Sequence, residues 1–363
     1  MRAEYVLFLG AYFILIVFIG LKFSRRMKSL EDFFLASRSL SGFFIFVSLT
    51  ASWFGATSIL VSTDEALRVG VSAFWLVGLP AVATVLIFAL FLAGPIRRLD
   101  ILTLPDLVEL RYGKTVRHLS SLLIIWYMVT LAASQMVALG HFLSPFLGLS
   151  YSWSLALGTA VVLVYLLSGG LFSVVATDVL QCLLLTGGTV GLMIFLLNVS
   201  PLETVLETAC QTGRTDYFHL FSGFKRNFLI ALSFTLAWTI SPIAWQRIGA
   251  AKTARQARQG LFGAAAAFVL LYGLVVLIGV FSLPLFSGRE LSHPLISEFI
   301  SAKLGNVWAG LLFIAVIAAI LSTMDTAINT GALGLTRDVY ERIFSPQKKA
   351  PLTAVRASRV FTF

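Results

Sequence analysis

The residues best suited to chemistry are hydroxyl side chains grouped around Asp325, inside a long apolar stretch. About five turns of largely apolar helix precede Asp325, and a charge at membrane depth by default marks a functional or structural polar network. Ser322, Thr323 and Thr326 lie within one turn of this acid, and Ser322 and Thr326 share a helical face. Their oxygens suit a hard monovalent cation such as sodium. Alternatively, each hydroxyl bonds back to a carbonyl of its own helix.

A second stretch, from Gly42 to Thr63, carries small residues through its middle, SLTASWFGATS. One interpretation is a small-residue face that allows close helix packing. The other is a helix broken near Ser52 to Gly55, whose freed carbonyls would bind an ion. Irregular backbone is tolerated at membrane depth only where protein or a water-filled cavity satisfies it. The pattern alone is compatible with both interpretations.

Three further polar or aromatic positions fall inside apolar runs. Asp178 either caps the start of a helix at the membrane surface or belongs to a buried network. Gln135 lies mid-span, where a lone polar residue either joins two helices or faces a cavity. Trp238 and Pro242 predict a distorted helix, because proline removes a backbone donor.

The composition requires these residues to sit in a membrane protein. The 363 residues are 58% hydrophobic and 12% charged, with a mean hydropathy of +0.92, whereas soluble domains carry about 25% charged residues. A soluble enzyme and a disordered chain are therefore excluded, and no Walker, GxSxG or HExxH motif supports ATP-driven transport or a familiar hydrolase. We predict an all-α polytopic membrane protein that is not an enzyme.

The apolar runs predict about nine spans, since a bilayer core needs about 20 apolar residues per helix. A turn at 148–150 divides the uncharged stretch 118–177 into two of them. The other seven predicted spans are 5–21, 39–63, 69–96, 179–198, 227–246, 259–283 and 307–334. The last residues, 357–363, resemble the opening of a tenth helix that stops after one or two turns.

The net charge of +10 is explained by membrane topology. Of the 27 Lys and Arg residues, 20 fall in one set of alternate loops and seven in the other. Positive residues concentrate on the cytoplasmic side, so the N-terminus is predicted to face outward. The same distribution excludes nucleic acid as a partner, because the basic residues do not share one soluble face.

Five segments together resemble the sodium:solute symporter family. They follow the family's order and cover the chain from about residue 32 to 342. The segments are DFFLASRSLSG (32–42), TLPDLVELRYG (103–113), SGGLFSVVATDVLQ (168–181), SPIAWQRIGAAKTARQARQG (241–260) and AAILSTMDTAINTGALGLTRDVY (318–340).

The resemblance implies a leucine-transporter-type inverted repeat of five plus five helices in a single transmembrane transporter domain, 1–363. One extra N-terminal helix (4–22) would precede the first repeat (41–198), and the second repeat would be incomplete (227–363). The last two core helices of the family would follow Ala357, so the chain is expected to be a truncated member.

The resemblance also joins the two polar stretches into one sodium site. Matching ASWFG implies backbone carbonyl ligands at Ala51 and Phe54. Matching AAILST implies a carbonyl at Ala319 and hydroxyl ligands at Ser322 and Thr323.

Two acids and four other residues complete the predicted machinery. Asp178 matches a family aspartate implicated in cation coupling or the exit route, and Asp325, the other acid at membrane depth, is assigned to the same role. The candidates for the solute cavity are Trp53, Ser58, Gln135 and Trp238. Trp53 and Ala237 depart from the proline- and sugar-transporting members respectively, so the resemblance favours neither solute.

The resulting prediction is a sodium-coupled symporter that imports a small organic solute by alternating access across the cell membrane. Sodium is the coupling ion and no cofactor is expected; the partners are the solute, Na+ and the lipid bilayer. Three alternatives stay open: a non-functional truncated remnant, a sensory or receptor-like module of the same fold, and proton coupling through Asp178 or Asp325.

Overall fold

The computed structural model describes residues 3–23, 29–99, 101–344 and 358–362. These residues are almost entirely helical, and the described part of the chain contains no β-sheet, only an isolated bridge between Leu40 and Ala251. The α-helices in chain order are α1 (Ala3–Phe23), α2 (Leu30–Leu35), α3 (Gly42–Trp53), α4 (Ser62–Val69), α5 (Gly78–Ile87), α6 (Ala93–Arg98), α7 (Leu104–Leu147), α8 (Tyr151–Val199), α9 (Leu202–Gln211), α10 (Phe224–Thr239), α11 (Pro242–Gly249), α12 (Ala254–Phe281), α13 (Leu283–Phe286), α14 (Leu295–Glu298) and α15 (Asn306–Gly334). Wider π-helical turns join α3 to α4, α5 to α6 and α14 to α15, and Leu335–Phe344 continues α15 in the same form.

Six helical segments of the described chain are long and apolar enough to cross a bilayer, or seven if the bent pair α10–α11 counts as one span. The predicted all-α membrane architecture is thereby confirmed. The number nine stays a prediction, because three of these segments, of 42, 44 and 49 residues, contain kinks or several joined helices. Of the expected tenth helix, residues 358–362 are helical, while 357 and 363 lie outside the described residues.

Two helices are interrupted near their middle. α3 ends at Trp53, and Phe54, with φ −91° and ψ 66°, leaves the helical path. A π-helical turn then begins at Thr57. α10 and α11 meet at an angle of 46°, and Pro242 opens α11, where its missing N–H costs no helical bond. The first break is one of the two interpretations that the small residues around Ser52 to Gly55 left open, and Pro242 predicted the second.

The kink in α8 lies at Gly170, and this corrects the predicted boundary between the spans 150–177 and 179–198. Gly170 has φ 50° and ψ −142°, a conformation that L side chains rarely adopt. An added Cβ at Gly170 would lie 2.5 Å from the carbonyl oxygen of Phe33 in α2. Asp178 therefore lies about two turns inside the second half of α8, where it is fully buried, and it does not cap a helix at the surface.

Replacing Gly170 with alanine is expected to lower the free energy of unfolding by about 1–3 kcal/mol, because the new Cβ meets both a positive φ and the Phe33 carbonyl. Thermal unfolding in detergent would measure the change. Gly187→Ala is the matched control on the same helix, since its Cβ would meet nothing within 4 Å. Equal melting temperatures for the two variants would contradict this account of the kink.

α15 is the central helix of the bundle. In the segment Asn306–Arg342, 83% of the most apolar 18-residue stretch is buried. The neighbours of α15 include α8, α7, α3 and α1. From Leu312 to Gly334 every residue except Ile328 is buried, so this part of the helix has no face toward lipid or water. The hydroxyl groups around Asp325 are thus held in the interior by packing, with Ser322, Asp325 and Thr326 all at 0% exposure.

An ion-pair cluster fixes the end of α15 to the start of α7. The Arg117 guanidinium is 2% exposed, and its Nη2 atom lies 2.6 Å from Asp338 Oδ1 and 3.3 Å from Asp106 Oδ1. Thr103 Oγ1 donates a second hydrogen bond to Asp338 Oδ1, at 3.0 Å. Arg117 was counted among the loop charges that set topology. It is instead a buried structural charge, because α7 begins at Leu104 and carries it into the bundle.

Candidate cation site

The broken helix α3 meets α15 through hydroxyl and carbonyl oxygens. Ser322 Oγ donates to the carbonyl of Ala51 across the helix interface at 2.9 Å and to that of Ala319 in its own helix at 3.0 Å. Thr323 Oγ1 donates to the same Ala319 carbonyl at 3.2 Å. The bond back to the parent helix, one of the two sequence interpretations, therefore coexists with a contact across to α3.

Four of the five predicted sodium ligands are thus brought together at the end of α3. The break at Phe54 ends the α3 hydrogen-bond ladder, so the carbonyls of the last turn need other partners. Gly55, the next residue, lies against Thr323, since a Cβ there would be 2.6 Å from Thr323 Oγ1. Hydroxyl oxygens and freed carbonyls at an unwound helix form the donor set that binds Na+ in membrane transporters, so the residues present fit this ion.

Arg247 lies on the other side of these contacts, fully buried. Its guanidinium donates to Ser48 Oγ (2.8 Å) and Ser52 Oγ (3.1 Å) on α3 and to Thr326 Oγ1 (2.8 Å) on α15. Arg247 was counted among the loop charges that set topology, and this assignment is wrong. The bend between α10 and α11 turns the short helix α11 inward, so that seven of its eight residues are buried.

Asp178 joins the same network from α8. Ser48 Oγ donates to Asp178 Oδ2 at 2.5 Å, while Arg247 Nη2 lies 3.8 Å from the same oxygen. The other carboxylate oxygen, Oδ1, is buried and has no hydrogen-bond partner among the described residues. Asp178 and Arg247 are therefore close enough to attract each other, but a serine hydroxyl stands between them.

Asp325 is held on a different face of α15. Tyr165 OH donates to Asp325 Oδ2 at 2.5 Å, and both side chains are fully buried. Nearby, Gln181 Nε2 donates to the hydroxyl of Tyr12 on α1 at 3.1 Å. Neither tyrosine was predicted as a site residue, although an aromatic hydroxyl inside an apolar helix is the signal that could have identified both.

A cavity of about 680 Å³ reaches this region from the side where α7 ends and α8 begins. Ala56 and Gln135 line its inner end, and His141, Tyr151 and His293 line its outer part. Gln135 Oε1 accepts a hydrogen bond from the Ala56 amide at 3.2 Å, next to the α3 break. Of the four candidate solute residues, Gln135 is the one that lines this cavity within the described chain.

The other three candidates lie together on the far side of the α3 break. The Trp53 and Trp238 rings meet edge to face with centroids 5.9 Å apart, and Trp53 also packs against Phe268 of α12. Ser58 Oγ lies 2.8 Å from Tyr272 OH. The structure thus pairs Trp53 with Trp238, and neither ring lines the cavity that Gln135 lines.

Residues 33–363 match the sequence profile of a family described as the sodium:solute symporter family. The chain belongs to this family. It is 25% identical to a sodium/glucose cotransporter of Vibrio parahaemolyticus over 94% of this chain and 69% of that protein. It is 26% identical to the osmoregulated proline transporter OpuE of Bacillus subtilis over 95% of this chain and 72% of that protein, and 25% identical to human sodium/glucose cotransporter 4 over 96% of this chain and 57% of that protein.

The fold has a solved counterpart in a Na+-coupled sialic acid symporter in its substrate-bound, outward-open state. The TM-score is 0.89 at 20% identity, and the alignment covers 99% of this chain and 78% of that one. The predicted leucine-transporter-type fold and the assignment to sodium-coupled transporters rather than enzymes are confirmed. The chain spans between 57% and 72% of the length of the three relatives named above.

Proposed function

We propose that the protein is a sodium-coupled symporter that imports a small organic solute by alternating access. The observation that carries this proposal is the contact of Ser322 on α15 with the Ala51 carbonyl at the end of the broken helix α3. A sodium ion bound by Ala51, Phe54, Ala319, Ser322 and Thr323 would link the two helices, and four of these five residues already lie together.

Sodium favours one conformation only if it binds that conformation better than the other. A site shared between α3 and α15 meets this condition, because its ligands come from two elements whose separation would dismantle it. An inside-negative membrane potential contributes about 2.3 kcal/mol per charge per 100 mV to inward movement of sodium. We place the N-terminus outside, on the side to which the cavity opens, in a multi-pass protein of the cell membrane.

The two interrupted helices support the inverted repeat. α3 breaks at Phe54 near the start of the proposed first repeat (41–198), and α10–α11 bends near the start of the proposed second repeat (from 227). Discontinuous helices in corresponding positions of two halves point to the binding region of secondary transporters. The helix 4–22 would stand outside this repeat.

We propose that the solute lies beside the α3 break, between Gln135 on one side and Trp53, Ser58 and Trp238 on the other. We further propose that Asp178 and Asp325 act in cation coupling or release. Relatives of the chain are named for glucose, proline and choline transport, so the solute class has to be found by a panel that includes sugars, amino acids, quaternary amines and carboxylic acids.

The test is uptake of a radiolabelled solute panel into proteoliposomes with sodium or potassium outside. We expect at least one solute to accumulate only with an inward sodium gradient, and a positive-inside potential to slow its uptake. A further arm replaces sodium by a pH gradient. Accumulation driven equally well by protons without sodium, or no sodium binding by the purified chain, would contradict the proposal.

A further inference from the structure

A cavity approaches the candidate cation site from one side, and buried polar side chains close the other side. The cavity lined by Ala56 and Gln135 reaches the α3 break from the side where α7 ends. On the opposite side, where α3 begins and α15 ends, the buried Arg247 side chain fills the junction of α3, α8 and α15. A cation that leaves toward that side has to pass a fixed positive charge.

Arg247 contacts both helices that would hold the cation. Ser52 follows the Ala51 carbonyl directly, and Thr326 lies one turn beyond Ser322 on the same face of α15. The Ser52 and Thr326 hydroxyls are 2.8 Å apart, and one atom, Arg247 Nη2, donates to both. This double contact exists only while α3 and α15 are as close as a shared cation would keep them.

We propose that Arg247 is a positioning residue that closes the cation site on this side, and that release requires its guanidinium to move from Ser52 and Thr326 to Asp178. The inference rests on the sodium site proposed above. It adds to that site a buried element with two arrangements, one for the bound and one for the releasing state.

Asp178 is suited to receive the guanidinium. Its Oδ2 atom already lies 3.8 Å from Arg247 Nη2, and its Oδ1 atom has no hydrogen-bond partner among the described residues. If α3 and α15 separate, Arg247 loses the shared acceptors, and a buried guanidinium without partners is strongly unfavourable. A direct pair with the Asp178 carboxylate would compensate that loss and remove the positive charge from the cation's path.

Gln246 extends the closure toward the membrane surface. Its Oε1 atom accepts hydrogen bonds from Arg247 Nη1 (3.0 Å) and from Thr330 Oγ1 (2.8 Å). Its Nε2 atom donates to Asn329 Oδ1 and to the Phe34 carbonyl, both at 2.9 Å. Because this layer is polar, water can replace its hydrogen bonds when the helices part.

The first test measures leakage of radioactive sodium from proteoliposomes without solute, using the full chain and its Arg247→Gln variant. We expect the variant to leak at least about tenfold faster, the size of effect that loss of a coupling between two states produces. Equilibrium binding of radioactive sodium is measured in parallel and should be retained. Arg247→Lys keeps the charge with fewer donors, so its leak should be intermediate.

Arg117→Lys is the matched control, since Arg117 is also buried and ion-paired but belongs to the cluster between α7 and the end of α15. It should leak like the unmodified chain. Unchanged leakage in an Arg247→Gln protein that still binds sodium would overturn the inference alone. Absence of sodium binding by the unmodified chain would overturn the proposed function and the inference together.

A second measurement leaves Arg247 in place and therefore does not depend on the folding of its variants. Thr330→Cys is made in a chain with Cys182 and Cys210 replaced by serine. The new thiol reports whether a reagent can reach the closed layer from the side of the membrane on which Lys252, between α11 and α12, lies. We expect sodium to slow modification of Cys at this position by a membrane-impermeant thiol reagent by about tenfold, because sodium keeps the closed arrangement. Equal modification with and without sodium, in a protein that binds sodium, would overturn the proposal.

Discussion

Replacing Ser322 and Thr323 together by alanine is expected to abolish sodium-stimulated uptake and to lower sodium affinity at least about a hundredfold, since each hydrogen-bonding group that contacts a charge contributes about 1.5–3 kcal/mol. Both hydroxyls point at the Ala319 carbonyl, and Ser322 also reaches Ala51 on α3. The double variant removes the two side-chain ligands and leaves the backbone ligands. Equilibrium binding of radioactive sodium and uptake with and without sodium would measure the two effects.

Ser120→Ala with Ser121→Ala is the matched control for that variant. These neighbouring serines of α7 also donate to a carbonyl of their own helix, that of Arg117, at 2.8 and 2.9 Å. They should leave sodium affinity unchanged, so a general effect of losing two helix hydroxyls can be separated from the loss of ligands. Unaltered sodium dependence in the Ser322/Thr323 variant would remove these residues from the site.

The parts of the site that could be predicted from sequence are those that local residue types determine. A run of small residues between two apolar segments left a helix break near Ser52 to Gly55 as one of two interpretations, and the structure has that break at Phe54. Pro242 predicted the bend between α10 and α11. Hydroxyls at helical spacing predicted one polar face on an otherwise apolar helix. These signals need no knowledge of the partner helix, because backbone geometry and side-chain chemistry are both local.

The parts that were missed depend on how distant helices cross. In the sequence, Arg247 is one more basic residue near the end of a predicted span. The count of Lys and Arg residues that predicts topology places every such residue in a surface loop. Its burial follows from the contact of α11 with α3 and α15, elements 195 and 79 residues away at Ser52 and Thr326. Tyr165 was missed for the same reason, since its partner Asp325 is 160 residues distant.

The boundary error around Asp178 has a different physical origin. The predicted spans begin and end at charged residues. A single buried acid such as Asp178 is therefore assigned to the end of a helix even when it lies inside one. The actual kink lies at Gly170, where the positive φ and the close approach of Phe33 require a residue without a Cβ. A glycine pair inside an apolar run was therefore the better signal for a break than the nearest charge.

Replacing Gly55 with alanine is expected to reduce sodium affinity strongly while the protein stays folded. The new Cβ would lie 2.6 Å from Thr323 Oγ1, which is closer than Cβ atoms come in real proteins, and 3.0 Å from Gln135 Oε1, which is tighter than most Cβ contacts. The Thr323 hydroxyl can rotate away, which limits the stability cost to the roughly 1–3 kcal/mol typical of one added methyl in a packed interior. That rotation moves the hydroxyl off the cation site, so we expect a loss of about tenfold or more in affinity, the equivalent of one ligand to a charged group.

Gly273→Ala on α12 is the matched control for Gly55→Ala, since its Cβ would meet nothing within 4 Å. It should bind sodium like the unmodified chain and should melt at the same temperature or slightly higher, because alanine favours a helix more than glycine does. The informative comparison is between the change in sodium affinity and the change in melting temperature of each variant. If Gly55→Ala lowers the melting temperature but leaves sodium affinity intact, the Gly55–Thr323 contact is only a packing contact, and the cation would have to bind without the Thr323 hydroxyl.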